Sequence, residues 1–389
     1  MSLFKNAGIT AQEFLDNYWQ KKPLLIPNGL EGFQAILDAN ELAGLACEAE
    51  IESRIILTNG PQHPWQLKNG PFSDEIFSKL PEKEWTLLVQ AVDQIVPEVS
   101  HLLEHFKFLP NWRLDDIMIS YAAPGGSVGP HYDQYDVFLI QAEGQRNWQL
   151  GPECGADTKF RQDTQLHILS EFEATEEFIV NPGDVLYVPP RIPHYGVAIT
   201  ACQTYSVGFR APSHGELIEH FASYIADKLS ADTRFTDDKA NTDHNPGLIT
   251  EHTIDTLKDI INEHMSDRES LKDWFAGYMS QPKYEPNEDE VAFGISDLEM
   301  AAILENSTTL FRNENARFVY THNDVLNDSP VLFYANGKAV DIDTDNVKLV
   351  LLLCEQRCIN IELYHNLLNE PQNITIIKHL YEQDLLYVE

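Results

Sequence analysis

The sequence predicts an α+β protein: a β-barrel or jelly roll framed by helices, then a helical region, then a small unit of winged-helix shape. Three observations carry this. From about Trp112 to Arg210, short runs of β-branched and aromatic residues alternate with Gly, Pro, Asn and Asp turns, the layout of many short strands. After Pro212 the apolar spacing becomes helical. Near the end, the hairpin signal Asn336-Gly337 sits between strand-like runs and is followed by helices. A chain of 389 residues is long enough for two or three cores.

In chain order, residues 9–20 read as a helix, with Thr10 as cap, Glu13 three residues on, and Phe14, Tyr18 and Trp19 on one face. Lys22-Pro23 ends it and Leu24–Ile26 reads as a strand. Residues 31–107 carry mostly helical patterns, including Glu82 to Val92 and Glu98 to Phe106. Barrel strands are expected at Met118–Ala122, Val137–Gln141, Trp148–Leu150, Glu177–Val180, Val185–Val188, Val197–Ile199 and Thr204–Phe209. Helices follow at Gly215–Leu229 and Thr250–Met279, and the polar stretch Gln281 to Glu290 reads as a linker. The last unit has strands at Phe318–Thr321 and Val331–Tyr334 and helical runs at Asp345–Gln356, Ile361–Leu368 and Thr375–Gln383. The expected division is 1–212 (barrel core about 112–210, helical before it), 213–284 and 285–389.

Acidic residues outnumber basic ones by 61 to 27, a formal net charge of -34. Such a surface repels phosphate backbones and attracts basic proteins, so free nucleic acid is not an expected partner. The last unit holds six basic against thirteen acidic residues from Glu305 to Glu389, which argues against DNA binding despite its shape. Five scattered cysteines give no disulfide framework, and no signal-peptide layout or membrane-length apolar run is seen. A cytoplasmic setting without membrane contact is expected.

The chemistry concentrates in Pro130-His131-Tyr132-Asp133. Residues i and i+2 of an extended chain share a face, so His131 and Asp133 aim an imidazole and a carboxylate at one point. His194, after Val188-Pro189-Pro190-Arg191-Ile192-Pro193, is placed to complete the set. Two histidines and a carboxylate with open positions form the facial triad of non-haem iron(II) oxygenases, although a zinc hydrolase uses similar ligands. Arg146, fifteen residues after His131, separates the two readings. A guanidinium inside a pocket suits the distal carboxylate of 2-oxoglutarate.

With these residues the chain resembles the JmjC-type oxygenases, and within them the bacterial ribosomal oxygenases that hydroxylate an arginine of protein sixteen of the large ribosomal subunit. The resemblance runs through Tyr18-Trp19-Gln20-Lys21-Lys22-Pro23-Leu24, the segment from Gly125 to Phe138, Gly183 to Pro190 and Tyr205 to Pro212. It implies a JmjC/cupin double-stranded β-helix with iron(II) on His131, Asp133 and His194, and 2-oxoglutarate and O2 as co-substrates. It implies 2-oxoglutarate on Arg146, a basic ribosomal protein as substrate, a helical dimerisation region giving a homodimer, and a C-terminal winged-helix domain. The family pattern has an asparagine where this chain has Thr204; that departure leaves the second 2-oxoglutarate contact open, with Thr204 or Ser206 as hydroxyl donors. An arginine substrate needs acceptors or aromatic faces, for which Asp115, Asp116, Tyr121 and Tyr135 are the candidates.

Two rival functions remain at this stage: a JmjC oxygenase acting on another protein, as hydroxylase or demethylase, and a non-catalytic cupin-like scaffold for a basic partner. A decoy is set aside. His101-Leu102-Leu103-Glu104-His105 matches an inverted zinc-peptidase pattern, but its apolar spacers fit a packed helix and no partner helix with a carboxylate follows.

Overall fold

Every residue from Val137 to Ala142 is buried, because that strand is covered on both faces. The computed structural model describes residues 3–60, 62–236, 245–284, 294–321 and 332–389. They form two units, Met1–Ala211 and Pro212–Glu389. The first unit begins with α1 (Ala11–Asn17), β1 (Leu24–Ile26), α2 (Ala39–Leu45), β2 (Ser53–Asn59), β3 (Pro64–Asn69), α3 (Asp74–Phe77), β4 (Trp85–Val89) and α4 (Pro97–Ser100). It continues with β5 (Leu114–Ala122), β6 (Val137–Glu143), β7 (Arg146–Leu150), β8 (Glu176–Val180), β9 (Val185–Val188), β10 (His194–Ala198) and β11 (Cys202–Phe209).

These strands make two antiparallel sheets. The larger has the order β1-β9-β6-β11-β5-β4-β2-β3, the smaller β10-β7-β8. Period-two alternation assigns each side chain to a face. Val137, Leu139, Leu186 and Val188 of the large sheet pack against Trp148, Leu150 and Val180 of the small one. Phe138, Ile140, Tyr187, Tyr205, Val207, Ile117 and Ile119 point the other way, into a layer with Phe4, Phe14 and Leu42. The inner face is a jelly-roll interior, and the outer face is sealed by the N-terminal segments.

Helix α1 forms as expected, with a reciprocal capping box between Thr10 and Glu13. A buried polar knot joins it to the sheet. Tyr187 donates to Asp136 Oδ1 (2.6 Å) and accepts from the backbone N–H of Gln20 (2.7 Å). Gln20 Nε2 and Arg113 Nη2 both donate to Asp136 Oδ2 at 3.1 Å. Burial raises the Asp136 carboxyl, and these donors oppose that shift. At the turn before β9, Gly183 has φ +91°, and a Cβ there would lie 2.9 Å from Asn28 Oδ1, so the tight turn requires glycine.

The region before the barrel differs from the sequence expectation. Residues 31–107 are not mainly helical: β2, β3 and β4 extend the large sheet, and Glu82 to Val92 contains strand β4 rather than a helix. Thr86 to Val89 are buried between β2 and β5, and a short apolar run buried on both sides has no period to separate strand from helix. The barrel sheet therefore starts well before residue 112. His101–Phe106 is a 3-10 helix; with three residues per turn, His101 and His105 are displaced around it by about a third of a turn, which breaks the peptidase geometry.

The second unit begins with α5 (His214–Lys228), α6 (Glu251–Met265) and α7 (Arg268–Met279), so the single run expected over Thr250–Met279 is two helices. Asp267 caps the second of them through the backbone N–H of Ser270. It then has α8 (Asp297–Glu305), β12 (Thr309–Arg312), β13 (Phe318–Thr321), β14 (Leu332–Ala335), β15 (Lys338–Val340), α9 (Val347–Glu355), β16 (Cys358–Asn360), α10 (His365–Leu368), α11 (Pro371–Glu382) and β17 (Leu386–Val388). Two small sheets, β16-β12-β17 and β13-β14-β15, share a core of Met300, Leu304, Leu349, Leu353, Ile377 and Leu380. Asn336-Gly337 turns β14 into β15. Most of the expected linker, 285–290, and Val331 lie outside the described residues. No helix among the described residues is long and apolar enough to cross a membrane.

Removing the Tyr187 hydroxyl leaves Asp136 and the Gln20 N–H short of a partner. Tyr187→Phe is expected to lower stability by about 1–3 kcal/mol, read from urea unfolding of the full chain.

Candidate metal centre

The site is built where the two sheets meet. His194 opens β10, and its backbone exchanges two hydrogen bonds with His131: His131 N to His194 O at 3.1 Å and His194 N to His131 O at 2.8 Å. The imidazoles are 4.3 Å apart between centroids. Asp133, two residues beyond His131, brings Oδ2 to 3.7 Å from His194 Nε2. One ligand atom from each of His131, Asp133 and His194 lies within 4.8 Å of the others, and this is the only such group found among the described residues.

The ring orientations are set from behind. His131 Nδ1 lies 2.9 Å from the carbonyl of Gly129, and His194 Nδ1 lies 3.1 Å from the carbonyl of Ile192. Those contacts assign the proton to Nδ1 and leave each Nε2 lone pair for a metal. Burial, and then the neighbouring His131, lower the His194 pKa to about 4, so the ring is neutral at physiological pH. The Asp133 carbonyl accepts from Arg191 N at 2.7 Å, and Leu169 N donates to Pro130 O at 2.8 Å. The loop between β9 and β10 and the loop between β7 and β8 thus both brace the ligand-bearing segment.

Arg146, on β7, is 3% exposed and projects to the inner face. Its Nε and Nη2 have no hydrogen-bond partner in the protein, and its guanidinium carbon lies 5.4 Å from the Trp148 ring. A buried cation with two unused donors is costly unless an anion meets it. Two imidazoles, a carboxylate and a guanidinium with two unused donors on one interior face fit a divalent metal together with a small dicarboxylate.

Thr204 and Ser206 alternate with the outward Tyr205 and Val207 and so face the interior. Thr204 Oγ1 donates to Gln141 Oε1 at 3.2 Å. Asp116 shares the inner face of β5 and accepts from Gln90 Nε2 (2.7 Å) and Ala91 N (2.9 Å). Asp115 pairs with Arg210 at 3.6 Å. The Tyr135 hydroxyl bonds Asp133; burial, and then the charges of Asp133, Asp116 and Asp115, raise its pKa and keep it protonated. Its ring still leaves 42% of the residue exposed, which sets it at the rim. Tyr121 is placed elsewhere: it packs on the outer face of the sheet, against Trp85, so it does not face the interior.

Sequence reasoning passed over Trp148 as a site residue. It sits two residues from Arg146 on one strand, and its ring is 5.7 Å from that of His194. The shared parity was the available signal.

Comparison with known proteins places this geometry among relatives. The JmjC domain family matches residues 101–217 and the ROXA-like winged helix family residues 263–387. The ribosomal protein uL16 3-hydroxylase of Escherichia coli is 35% identical over 329 residues, 85% of each chain. A probable ribosomal oxygenase of Haemophilus influenzae is 35% identical over 86% of this chain and 82% of its own. The solved structure of an Escherichia coli ribosomal oxygenase, YcfD, in complex with cobalt and 2-oxoglutarate matches with a TM-score of 0.84 and 32% identity over 98% of both chains.

The geometry predicts that His131→Ala and Asp133→Ala each weaken cobalt(II) binding, followed by its visible absorption, by about a hundredfold or more, beyond the effect of losing an outer-shell partner. Circular dichroism should stay that of the parent chain.

Proposed function

The chain belongs to the JmjC-domain ribosomal oxygenases, and we propose that it hydroxylates an arginine side chain of ribosomal protein uL16. The observation that carries the oxygenase reading is the pairing, on one barrel interior, of the His131–Asp133–His194 group with the Arg146 guanidinium, whose Nε and Nη2 have no hydrogen-bond partner in the protein. Hydrolysis at zinc does not itself call for that guanidinium, whereas a dicarboxylate co-substrate does. The 35% identity to a uL16 3-hydroxylase over 85% of the chain supports the substrate.

Iron(II) held by the triad, with 2-oxoglutarate as reductant, supplies oxygen activation for C–H hydroxylation, with succinate and carbon dioxide as co-products. The protein's own residues do the rest. The Gly129 and Ile192 carbonyls hold the two imidazoles in one tautomer and one orientation. Arg146 receives the distal carboxylate of 2-oxoglutarate in a fork of two N–H donors, with the Thr204 and Ser206 hydroxyls facing the same interior. The apolar layer of Val137, Leu139, Leu186 and Val188 excludes water from the interior between the sheets. Tyr135 at the rim, with the charges of Asp115 and the buried Asp116 close to it, offers acceptors and charge to an incoming guanidinium, and the acidic surface attracts a basic ribosomal protein. A cytoplasmic location follows from that substrate.

The proposal includes a homodimer formed through residues 213–284. Helix α6 buries no residue within the chain. Ile254, Leu257 and Ile261 are 48%, 46% and 51% exposed and lie along one stripe at helical spacing. Leu257→Asp is expected to convert a dimer to monomers in light scattering coupled to gel filtration; an unchanged mass would remove this part of the reading.

The deciding experiment is mass spectrometry of ribosomal proteins from a strain lacking this gene, after incubation with enzyme, iron(II), 2-oxoglutarate and oxygen. One added oxygen on an arginine of uL16, absent with His131→Ala, is the expected result. Loss of a methylene equivalent would mean demethylation, and no change on any ribosomal protein would discard the substrate. Arg146→Met should raise the 2-oxoglutarate Kd by about a hundredfold, the scale of two charge-assisted hydrogen bonds, with cobalt binding retained.

A further inference from the structure

One buried side chain touches both anchors of the centre. Trp148 is 4% exposed and lies on β7 opposite Gly196 of β10. Its ring centroid is 5.7 Å from the His194 imidazole, tilted by 55°, and 5.4 Å from the Arg146 guanidinium carbon. The register explains how one ring reaches both. Arg146 pairs with Ala198, Trp148 with Gly196 and Leu150 with His194, so the three inward positions of β7 run alongside the three of β10. The indole occupies the space above Gly196, where a Cβ would lie 2.5 Å from Cζ3 and 2.6 Å from Cη2. Val137, Leu139, Leu186 and Val188 close in from the opposite sheet.

We infer that Trp148 is a positioning residue that holds the Arg146 guanidinium and the His194 ring at a fixed separation, so that metal and 2-oxoglutarate binding are coupled through it. The inference rests on the oxygenase reading above. Arg146 has two nitrogens without a protein partner, so before a dicarboxylate arrives the indole face is a close electrostatic partner for its charge. A chelating ligand must reach from the metal to the guanidinium, and that span is set by where the indole stands. Gly196 is part of the device because any side chain there would displace the ring. A tryptophan that merely filled the core would be replaceable by another apolar residue at a cost in stability alone.

The test compares the parent full-length chain with Trp148→Leu, Trp148→Phe and Gly196→Ala. Cobalt(II) affinity is read from absorption titration, and 2-oxoglutarate affinity from calorimetry on the cobalt-loaded protein. Positioning predicts that Trp148→Leu weakens 2-oxoglutarate about tenfold or more, the scale of a desolvated cation–π contact, and weakens cobalt severalfold. Trp148→Phe, which keeps an aromatic face, should recover most of both. Gly196→Ala keeps the indole but moves it, and should weaken both ligands; it decides the matter if Trp148→Leu does not fold. Affinities within about twofold of the parent in the folded variants, or equal losses in Trp148→Leu and Trp148→Phe, overturn the inference. A parent chain that binds cobalt but no 2-oxoglutarate overturns the oxygenase reading, and the inference with it.

Discussion

The two backbone hydrogen bonds between His131 and His194 are the constraint on which the centre depends. They tie the segment leading into β6 of the large sheet to β10 of the small one. Each histidine therefore arrives with its main chain fixed by the other, and Asp133 follows two residues later on the same face. The ring tautomers rest on carbonyls two residues before each histidine, Gly129 and Ile192. A site built this way takes the orientation of its two imidazoles from backbone rather than from flexible side chains.

The same large sheet serves two purposes because its faces differ. Outward residues such as Phe138, Tyr187 and Tyr205 are aromatic and join the layer under the N-terminal helices. Inward residues become polar along the strands: Asp116 and Ser120 on β5, Gln141 on β6, Thr204 and Ser206 on β11. Buried polar groups need partners. Thr204 bonds Gln141, and Gln141 bonds the carbonyl of Glu143 at 2.8 Å. Among the inward residues of the two sheets Arg146 stands apart because both its Nε and its Nη2 find no protein partner.

Much of this was legible in the sequence because its signals are local. The His131/Asp133 spacing, the Asn336-Gly337 hairpin turn, the Thr10–Glu13 cap and the strands after Trp112 each depend on a few neighbouring residues. What was not legible depends on distant ones. Strand β4 reads as helix until β2 and β5 flank it. Tyr121 and Asp116 both lie on β5, and only the packing of Ile117 and Ile119 tells which face is outward. Trp148 was visible as a strand residue, but its contact with His194 arises from pairing with a strand nearly fifty residues away. The Asp136 knot joins Gln20, Arg113 and Tyr187, partners that no window of the sequence contains.

Strand β11, Cys202–Phe209, is the last of the barrel strands in the chain, yet it lies in the middle of the large sheet, bonded to β5 on one side and β6 on the other. As the chain emerges from the ribosome, β5 can pair with β4 and β6 with β9, but the remaining edge of each waits for the same late strand. The backbone edges facing that gap then remain open until more than half of the protein has been made. Synthesis order thus makes barrel closure a late, long-range event, and completion of the metal ligands, the last of which precedes β11 by only a few residues, falls in the same short interval of translation.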